Sequence, residues 1–212
     1  MLVRLRMERR RVRGAAVSGR ANLLGESMKR MRRVPFLFCL LLVGIACGGG
    51  SSQVINDPGG SLVATFTADQ PNPGSLATAM APGSTSGALV TVAINVANTN
   101  DVYGAALVVT FDPSRASYVD YTPGTILGTG SQTSYQVAAP VAGEVVVSAT
   151  RLGNVAGVDV TGVRTLINLT FRVTAAGSSS LDFDIPSSAL YDAQAPPQPI
   201  QVTFSGGTLQ AN

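Results

Sequence analysis

The sequence "TLINLTFRV", from Thr165 to Val173, alternates strictly between apolar and polar side chains over most of its length. A period of two is typical of a β-strand that buries one face in a core and shows the other face to water. Five further stretches alternate similarly: "LVATFTA" (62–68), "LVTVAINVA" (89–97), "EVVVSAT" (144–150), "LDFDI" (181–185) and "QVTFSGGTLQ" (201–210). The residues expected to face the core include Ile167, Leu169, Phe171, Val173, Val145, Val147, Phe183 and Ile185.

Turn-forming clusters rich in Gly, Pro, Asn and Asp separate these stretches, and no segment shows a convincing helical period. Eight or nine short strands with this punctuation indicate an all-β fold, either an antiparallel β-sandwich or a jelly roll. The roughly 150 residues from 62 to 212 are enough for one domain with a sizeable core. A single folded domain is therefore predicted over residues 62–212.

The charges of the chain fall into two unlike segments. Residues 1–46 carry eleven Lys/Arg and two Asp/Glu, whereas residues 47–212 carry four Arg, no Lys and ten Asp/Glu. A basic leader before an acidic body is typical of an exported protein. "MKRMRR" followed by the apolar "VPFLFCLLLVGIA" predicts a signal peptide over residues 28–46, because a membrane-spanning helix needs roughly 20 apolar residues. Residues 1–27 are predicted to be a basic extension or an unused upstream start.

Cys47 follows the apolar stretch within "GIACGGGSS". The other cysteine, Cys39, lies inside the predicted signal, so Cys47 would have no disulfide partner after processing. Ile45-Ala46-Cys47 resembles the end of a bacterial lipobox, whose cysteine receives the lipid. We therefore predict lipidation at Cys47, a flexible linker over residues 47–61, and tethering to the outer membrane or cell surface through the lipid alone. Plain secretion is the alternative, because the same stretch also fits an ordinary cleavage site.

Residues suited to catalysis are scarce in this chain. It has no His, and residues 47–212 have no Lys, which removes the usual hydrolytic triads and most transition-metal sites. Asp182 and Asp184 lie about 7 Å apart on one strand. Neighbours on one strand cannot flank a substrate from opposite sides, as a glycosidase pair must. We therefore predict that the protein is not an enzyme, and its acidic body argues against nucleic-acid binding.

Two weaker patterns concern ligands. The loop "NTND", Asn98 to Asp101, has oxygen groups that suit calcium but only one carboxylate, so no cofactor is predicted and calcium is left open. Tyr118, Tyr121 and Tyr135 are the candidates for contacting a glycan through their rings. Alternation puts Tyr118 and Tyr121 on opposite sides of their strand and Tyr103 in the core, so no flat aromatic platform is predicted.

One strand has small or apolar, uncharged residues on the side that should meet water. In "VYGAALVVTFDPSRASYVDYTPG", Val102 to Gly124, alternation directs Leu107 and Val109 inward. A half-buried antiparallel strand normally shows a polar face to solvent. Both a site for another protein and an ordinary surface of small residues are compatible with this pattern. The outward set is Gly104, Ala106, Val108 and Thr110.

The order of motifs resembles a known family. "VTVAINVANTNDVYGAALVVTFDPSRASYVDYTPGTILG" is similar to the first half of cohesin modules, where a strand leads to "xVYGxxxxxxYDP" and then to a strand ending in "xPG". "GEVVVSATRLGNVAGVDVTGVRTLINLTFRV" and "FSGGTLQ" resemble the later strands of the family, so the likeness extends over the folded part of the chain. The resemblance implies a jelly-roll β-sandwich of about nine strands. It also implies that one sheet face, from Tyr103–Phe111, Ser134–Ala139, Glu144–Arg151 and Ser179–Ile185, binds a calcium-loaded dockerin.

On this resemblance, the partner-binding face consists of Gly104, Ala106, Val108, Thr110, Val146, Ser148 and Thr150. Strongly binding cohesins carry an Asn and an Asp where this chain has Gly104 and Ala106, so a partner would dock here through shape and apolar contact. The predicted function is a non-catalytic, lipid-anchored surface module that captures a protein, for example a dockerin-bearing polysaccharide-degrading enzyme. Direct carbohydrate binding and a structural role in the envelope are the alternatives.

Overall fold

The computed structural model describes residues 61–212. The predicted basic extension, the signal peptide, the lipidation site at Cys47 and the linker up to residue 60 lie outside the described residues, and they remain predictions. Among residues 61–212, no helix is both long enough and apolar enough to cross a membrane.

The described residues form two β-sheets that pack face to face. Two short 3-10 turns, Gly130–Gln132 and Ile185–Ser187, lie between strands. The strands of the first sheet are β1 Ala64–Ala68, β4 Gly104–Phe111, β6 Thr133–Ala138, β7 Glu144–Arg151, β9 Gly177–Phe183, β10 Ala189–Tyr191, β11 Pro199–Ile200 and β13 Gly207–Ala211. Those of the second sheet are β2 Ala77–Ser86, β3 Leu89–Val102, β5 Ala116–Pro123, β8 Val158–Val173 and β12 Thr203–Ser205.

The first sheet runs in the order β1-β13-β9-β4-β7-β6. The short strand β10 pairs with the half of β4 that β9 leaves free, and β11 pairs with β10. The second sheet runs in the order β12-β2-β3-β8-β5. Every described pair is antiparallel except β12 with β2, which is parallel. Strand β1 is paired with β13 from Ala64 opposite Ala211 to Ala68 opposite Gly207, so the two ends of the folded unit meet at one corner.

The core lies between the sheets and is mainly aliphatic. In β8, the predicted inward residues Ile167, Leu169, Phe171 and Val173 are all buried. Burying each such side chain stabilises the fold by about 1.5–3 kcal/mol, so this alternation is a major reason for the two-layer arrangement. The predicted all-β sandwich is confirmed, with thirteen strands, several of them only two or three residues long, in place of about nine.

Strand β2 shows no alternation that could have predicted it. Its first four residues, Ala77 to Met80, are all buried, since β2 lies between β12 and β3 while its inner face meets the core. Its second half contains Pro82, and an irregularity in the pairing between Pro82 and Thr85 accommodates this residue. A proline disrupts a ladder less at such an irregularity than within regular pairing.

Two residues expected to face the core do not. Ile185 is 61% exposed, because β9 ends at Phe183 and the chain enters a 3-10 turn in which Pro186 cannot donate a ladder hydrogen bond. Tyr103 lies between β3 and β4 and is half-buried. Its hydroxyl donates a hydrogen bond of 2.7 Å to the carbonyl oxygen of Gly153, an exposed group at one end of the sandwich.

Candidate docking surface

Four predicted strands are neighbours in the first sheet, in the order β9-β4-β7-β6. Cross-strand pairs place Ala106 opposite Ser148 and Val108 opposite Val146. All seven residues predicted for the partner-binding face therefore point to the same side of the sheet. We call this side the outer face; its positions on β4 and β7 are Gly104, Ala106, Val108, Thr110, Glu144, Val146, Ser148 and Thr150.

The burial of successive residues shows which side of β4 faces the core. Leu107 and Val109 are fully buried between the sheets, whereas Val108 is partly accessible on the outer face. The main chain of Val108 is held from the side by two groups: its carbonyl oxygen accepts the N–H of Asp184 at 2.9 Å, and its N–H donates to the Ser188 hydroxyl at 3.0 Å. The centre of the outer face is thus fixed in position while its side chains stay available.

One end of the outer face is acidic. Thr110 lies between Glu144 on β7 and Asp182 on β9, so two carboxylates flank it across three adjacent strands. Asp184 follows two residues after Asp182, just beyond the end of β9. Among residues 61–212 the basic side chains are Arg115, Arg151, Arg164 and Arg172, and none occupies an outward position of β4, β7 or β9.

The opposite end of the outer face holds a shallow pocket of about 400 Å³. The outward positions of β4 and β7 lie along its bottom, and Tyr103, Tyr191 and Pro197 border it. Gly104, predicted to be accessible, is buried there, and a Cβ at this position would lie 3.0 Å from the carbonyl oxygen of Ala149. The pocket has no charged lining residue; it is lined by Tyr103, Gly104, Ala105, Ala106, Ser148, Ala149, Thr150, Tyr191 and Pro197.

The loop from Asn98 to Asp101, for which calcium was left open, connects the segments at this same end of the sandwich. One carboxylate oxygen of Asp101 accepts the N–H of Gly157 at 3.0 Å, and the other accepts the N–H of Ala193 at 3.3 Å. The side-chain oxygen of Asn98 accepts the N–H of Gly162 at 2.9 Å. Both residues have positive φ, which Asn and Asp tolerate better than most residues. These oxygens therefore serve the main chain, and within the described part of the chain no three acidic, His or Cys side chains form a group suited to a metal.

Two of the three tyrosines considered for glycan contact, Tyr118 and Tyr121, do not lie on opposite sides of β5 as predicted. The pairing of β5 with β8 shifts between Tyr118 and Asp120, and this bulge brings Tyr118 and Tyr121 to the same inward side of β5. Tyr135 on β6 also faces inward, and burial raises the pKa of its hydroxyl. Burial, followed by the nearby Asp120 carboxylate, raises the pKa of Tyr118 as well.

The tyrosines border two surface cavities where β5 and β6 face each other across the open edge of the sandwich. A cavity of about 340 Å³ is lined by Tyr118 and by the loop that includes Pro140 and Val141. A second cavity, of about 440 Å³, is lined by Tyr121, Tyr135 and a loop rich in Gly and Thr. Neither cavity has a charged lining residue.

Comparison with known families identifies this architecture. Residues 77–210 match the family described as the cohesin domain. The chain belongs to the cohesin family. The predicted partner-binding face is thus a surface of a cohesin domain. No curated protein matches the chain.

Several solved cohesins resemble the chain. A type II cohesin from the cellulosome of Acetivibrio cellulolyticus is 18% identical, with a TM-score of 0.46 over 68% of this chain and 90% of that one. The third cohesin of ScaC from the same organism, solved in complex with the ScaB dockerin, is 13% identical, with a TM-score of 0.48 over 57% and 86%. A non-cellulosomal cohesin from Archaeoglobus fulgidus is 19% identical, with a TM-score of 0.44 over 68% and 88%.

Sequence reasoning missed three residues at the outer face. Tyr191 reaches it because β10 pairs with β4, which places Tyr191 opposite Gly104. Ile185 and Asp184 lie beside Val108 because the chain leaves β9 at the 3-10 turn. Pro186 is a local signal that β9 ends early, but nothing local in the sequence predicts that β10 returns to β4.

Proposed function

We propose that this cohesin domain is a non-catalytic module that captures a protein partner on its outer face. The observation that carries the proposal is the charge-free centre of that face. Val108 and Val146 lie side by side on two interior strands, with carboxylates at one end and a pocket at the other. Apolar patches with a polar margin are typical of sites where proteins meet.

The proposed partner is a dockerin-bearing protein, for example a polysaccharide-degrading enzyme. Two features support this choice: the family of the chain, and the solved ScaC cohesin, which was determined in complex with a dockerin. The proposed location is the cell surface or outer membrane, with a lipid on Cys47 as the tether. Mass spectrometry of the protein purified from membranes tests the tether, since a Cys47→Ser variant should lose the lipid mass and become soluble on fractionation.

The docking proposal is tested by titrating the protein with calcium-loaded dockerins encoded in its source genome. Val108→Asp places a charge at the centre of the outer face, and an apolar contact that becomes a buried charge costs a few kcal/mol, or about a hundredfold in affinity. Val119→Asp is the matched control, because Val119 is 46% exposed on β5 in the other sheet. The proposal is wrong if no encoded dockerin binds, or if both variants bind equally well.

A second function, binding of a neutral glycan, is favoured by the bulge in β5. It brings Tyr118 and Tyr121 to one side, facing Tyr135 across cavities without charged lining. Aromatic rings and hydroxyl groups without charge suit an uncharged sugar. NMR titration with cellohexaose and xylohexaose should shift amides around Tyr121, and Tyr121→Ala should abolish the shifts. Equal shifts with charged oligogalacturonate, or no shifts at millimolar sugar, would contradict this second function.

A further inference from the structure

Strand β6 is an outermost strand of the first sheet: one edge pairs with β7, and the other edge pairs with no strand of residues 61–212. Two hydrogen bonds show which main-chain groups this open edge presents. The N–H of Leu152 donates to the carbonyl oxygen of Gln132 at 2.8 Å, and the N–H of Arg151 donates to that of Tyr103 at 3.0 Å. Because bonded pairs alternate along an antiparallel ladder, the even-numbered residues of β6 bond to β7 and the odd-numbered residues point to the open edge.

The open edge of β6 therefore presents the main-chain groups of Thr133, Tyr135 and Val137. The N–H of Thr133 already donates to the carbonyl oxygen of Gly130 in the 3-10 turn. The carbonyl oxygen of Tyr135 accepts the Tyr121 hydroxyl at 3.4 Å, which leaves one of its two lone pairs for another donor. Within the described part of the chain, the N–H groups of Tyr135 and Val137 and the carbonyl oxygen of Thr133 have no hydrogen-bond partner.

The outermost strand β5 of the second sheet differs from β6 in features that keep an edge from pairing. In β5 a bulge lies between Tyr118 and Asp120, and Pro123 ends the strand. The Asp120 carboxylate also accepts the N–H of Tyr121 at 2.8 Å. Bulges, charges and prolines are the usual protection of an edge strand. Strand β6 has none of them, since "TSYQVA" is uncharged and its register with β7 is unbroken from Thr133 to Ala138.

We propose that two copies of this protein associate through β6, which pairs antiparallel with itself about a twofold axis between the two Tyr135 residues. In this register the two Tyr135 main chains exchange two hydrogen bonds. The N–H of each Val137 donates to the carbonyl oxygen of Thr133 in the other copy. The occupant of the edge is a second copy because the edge complements itself: each unpaired donor meets an acceptor, and uncharged residues face uncharged residues.

The register also determines how the two copies lie relative to each other. Ser134 and Gln136 point to the outer side of the sheet beside Thr150 and Ser148, and each Ser134 lies opposite Gln136 of the other copy. Both outer faces therefore lie on the same side of one continuous sheet. The two β4 strands are five strand spacings apart, or about 24 Å at about 4.8 Å per spacing. The association goes beyond the proposed docking function and holds whether or not the outer face captures a protein.

Sedimentation of the full-length protein in density-matched detergent tests the association, at up to about 1 mM because small interfaces bind weakly. The dimer fraction should rise with protein concentration. Ser134→Lys combined with Gln136→Lys places like charges opposite each other and should raise the dimer dissociation constant at least about tenfold. Ser134→Glu combined with Gln136→Lys places opposite charges there, so its dissociation constant should equal or fall below that of the unmodified protein.

Disulfide trapping tests the register in a protein without its own cysteines, Cys39→Ser with Cys47→Ser. Ser134 and Gln136 of the other copy form a pair without hydrogen bonds, with Cα atoms about 4.5 Å apart, which suits a disulfide. A mixture of the Ser134→Cys and Gln136→Cys proteins should therefore form mixed disulfide dimers. Either protein alone should form few, because identical positions lie diagonally, about 7–8 Å apart.

A matched control uses the edge of the other sheet. Ser117→Lys combined with Val119→Lys changes two exposed residues of β5 and should leave the association unchanged. Melting temperatures of all variants show whether a loss of association reflects a loss of folding, and the Glu/Lys variant tests the same two positions independently. A protein that stays monomeric at every concentration overturns the inference. Association that tolerates the two lysines in β6, or mixed cysteine proteins that cross-link no better than each alone, also overturns it.

Discussion

Replacing Asp101 by Ala should destabilise the domain substantially. Asp101 joins three segments, because its two carboxylate oxygens accept N–H groups from Gly157 and Ala193 while its own main chain belongs to the end of β3. Each hydrogen bond to a charged group contributes about 1.5–3 kcal/mol. Asp101 also has φ of 56°, a conformation that costs Ala roughly 1–2 kcal/mol. Allowing for non-additivity, we expect a loss of about 3–5 kcal/mol.

Equilibrium unfolding in urea, followed by intrinsic fluorescence of the tyrosines, measures this loss. Asp101→Asn keeps one acceptor oxygen and tolerates positive φ, so it should lose about half as much as Asp101→Ala. The loss is large against a total stability of about 5–15 kcal/mol for an ordinary domain. A loss below about 1 kcal/mol for Asp101→Ala would refute the role assigned to these two hydrogen bonds.

Gly157 provides an independent check from the other side of the same contact. A Cβ on Gly157 would collide with the main chain and carboxylate of Asp101, so Gly157→Ala should displace the hydrogen-bonded pair. In a double-mutant cycle, Asp101→Ala and Gly157→Ala should couple by about 1–3 kcal/mol, because each already breaks what the other would break. Simple additivity of the two losses would mean that the residues act separately.

Three further predictions concern the sheet that carries the outer face. Leu107→Ala should lower the free energy of unfolding by about 2–5 kcal/mol because it opens a core cavity, whereas Val108→Ser should lower it by less than about 1 kcal/mol. The reverse order in urea unfolding would show that Val108, and not Leu107, faces the core. Asp112 accepts hydrogen bonds from the hydroxyl and the N–H of Ser114, which lower its pKa below the ordinary value of an aspartate. These hydrogen bonds stabilise the folded protein at pH values above the ordinary carboxyl pKa, and the stabilisation is lost as the pH falls through the lowered pKa of folded Asp112. Ser114→Ala should raise the NMR titration midpoint of Asp112. An unchanged midpoint would contradict the role given to Ser114. Gly206→Ala should lower the melting temperature because its Cβ would strike a carbonyl of β9, and an unchanged melting curve would show that the sheet yields there.

The features that the sequence predicted well are those set by local alternation. In β8 the burial of Leu169 and Phe171 follows directly from the period of two, as does the inward position of Leu107 in β4. Alternation fails where one residue is inserted or where a strand ends early. The bulge after Tyr118 reverses the phase before Tyr121, and the 3-10 turn at Ile185 places an apolar residue in water.

The sequence predicted which residues form the outer face, but it did not predict the pocket at one end of that face. The resemblance to cohesins indicated which strands would adjoin, and the alternation of β4 and β7 indicated which residues would point outward. The pocket depends on Tyr191, which reaches Gly104 only through a pairing between segments more than eighty residues apart in sequence. Long-range pairing of short strands leaves little local signal, so the aromatic border of the pocket emerges only from the fold.

The meeting of β1 and β13 at one corner determines how the domain yields to mechanical force. Val63 and Asn212 exchange two main-chain hydrogen bonds, of 2.9 and 3.2 Å, just beyond the paired strands. Handles pulled apart at these two residues load one hydrogen bond at a time, so the first strand unzips from the last at low force. Strands β4 and β7 lie on the far side of β9 from that corner, so the strands of the outer face are not the first to separate.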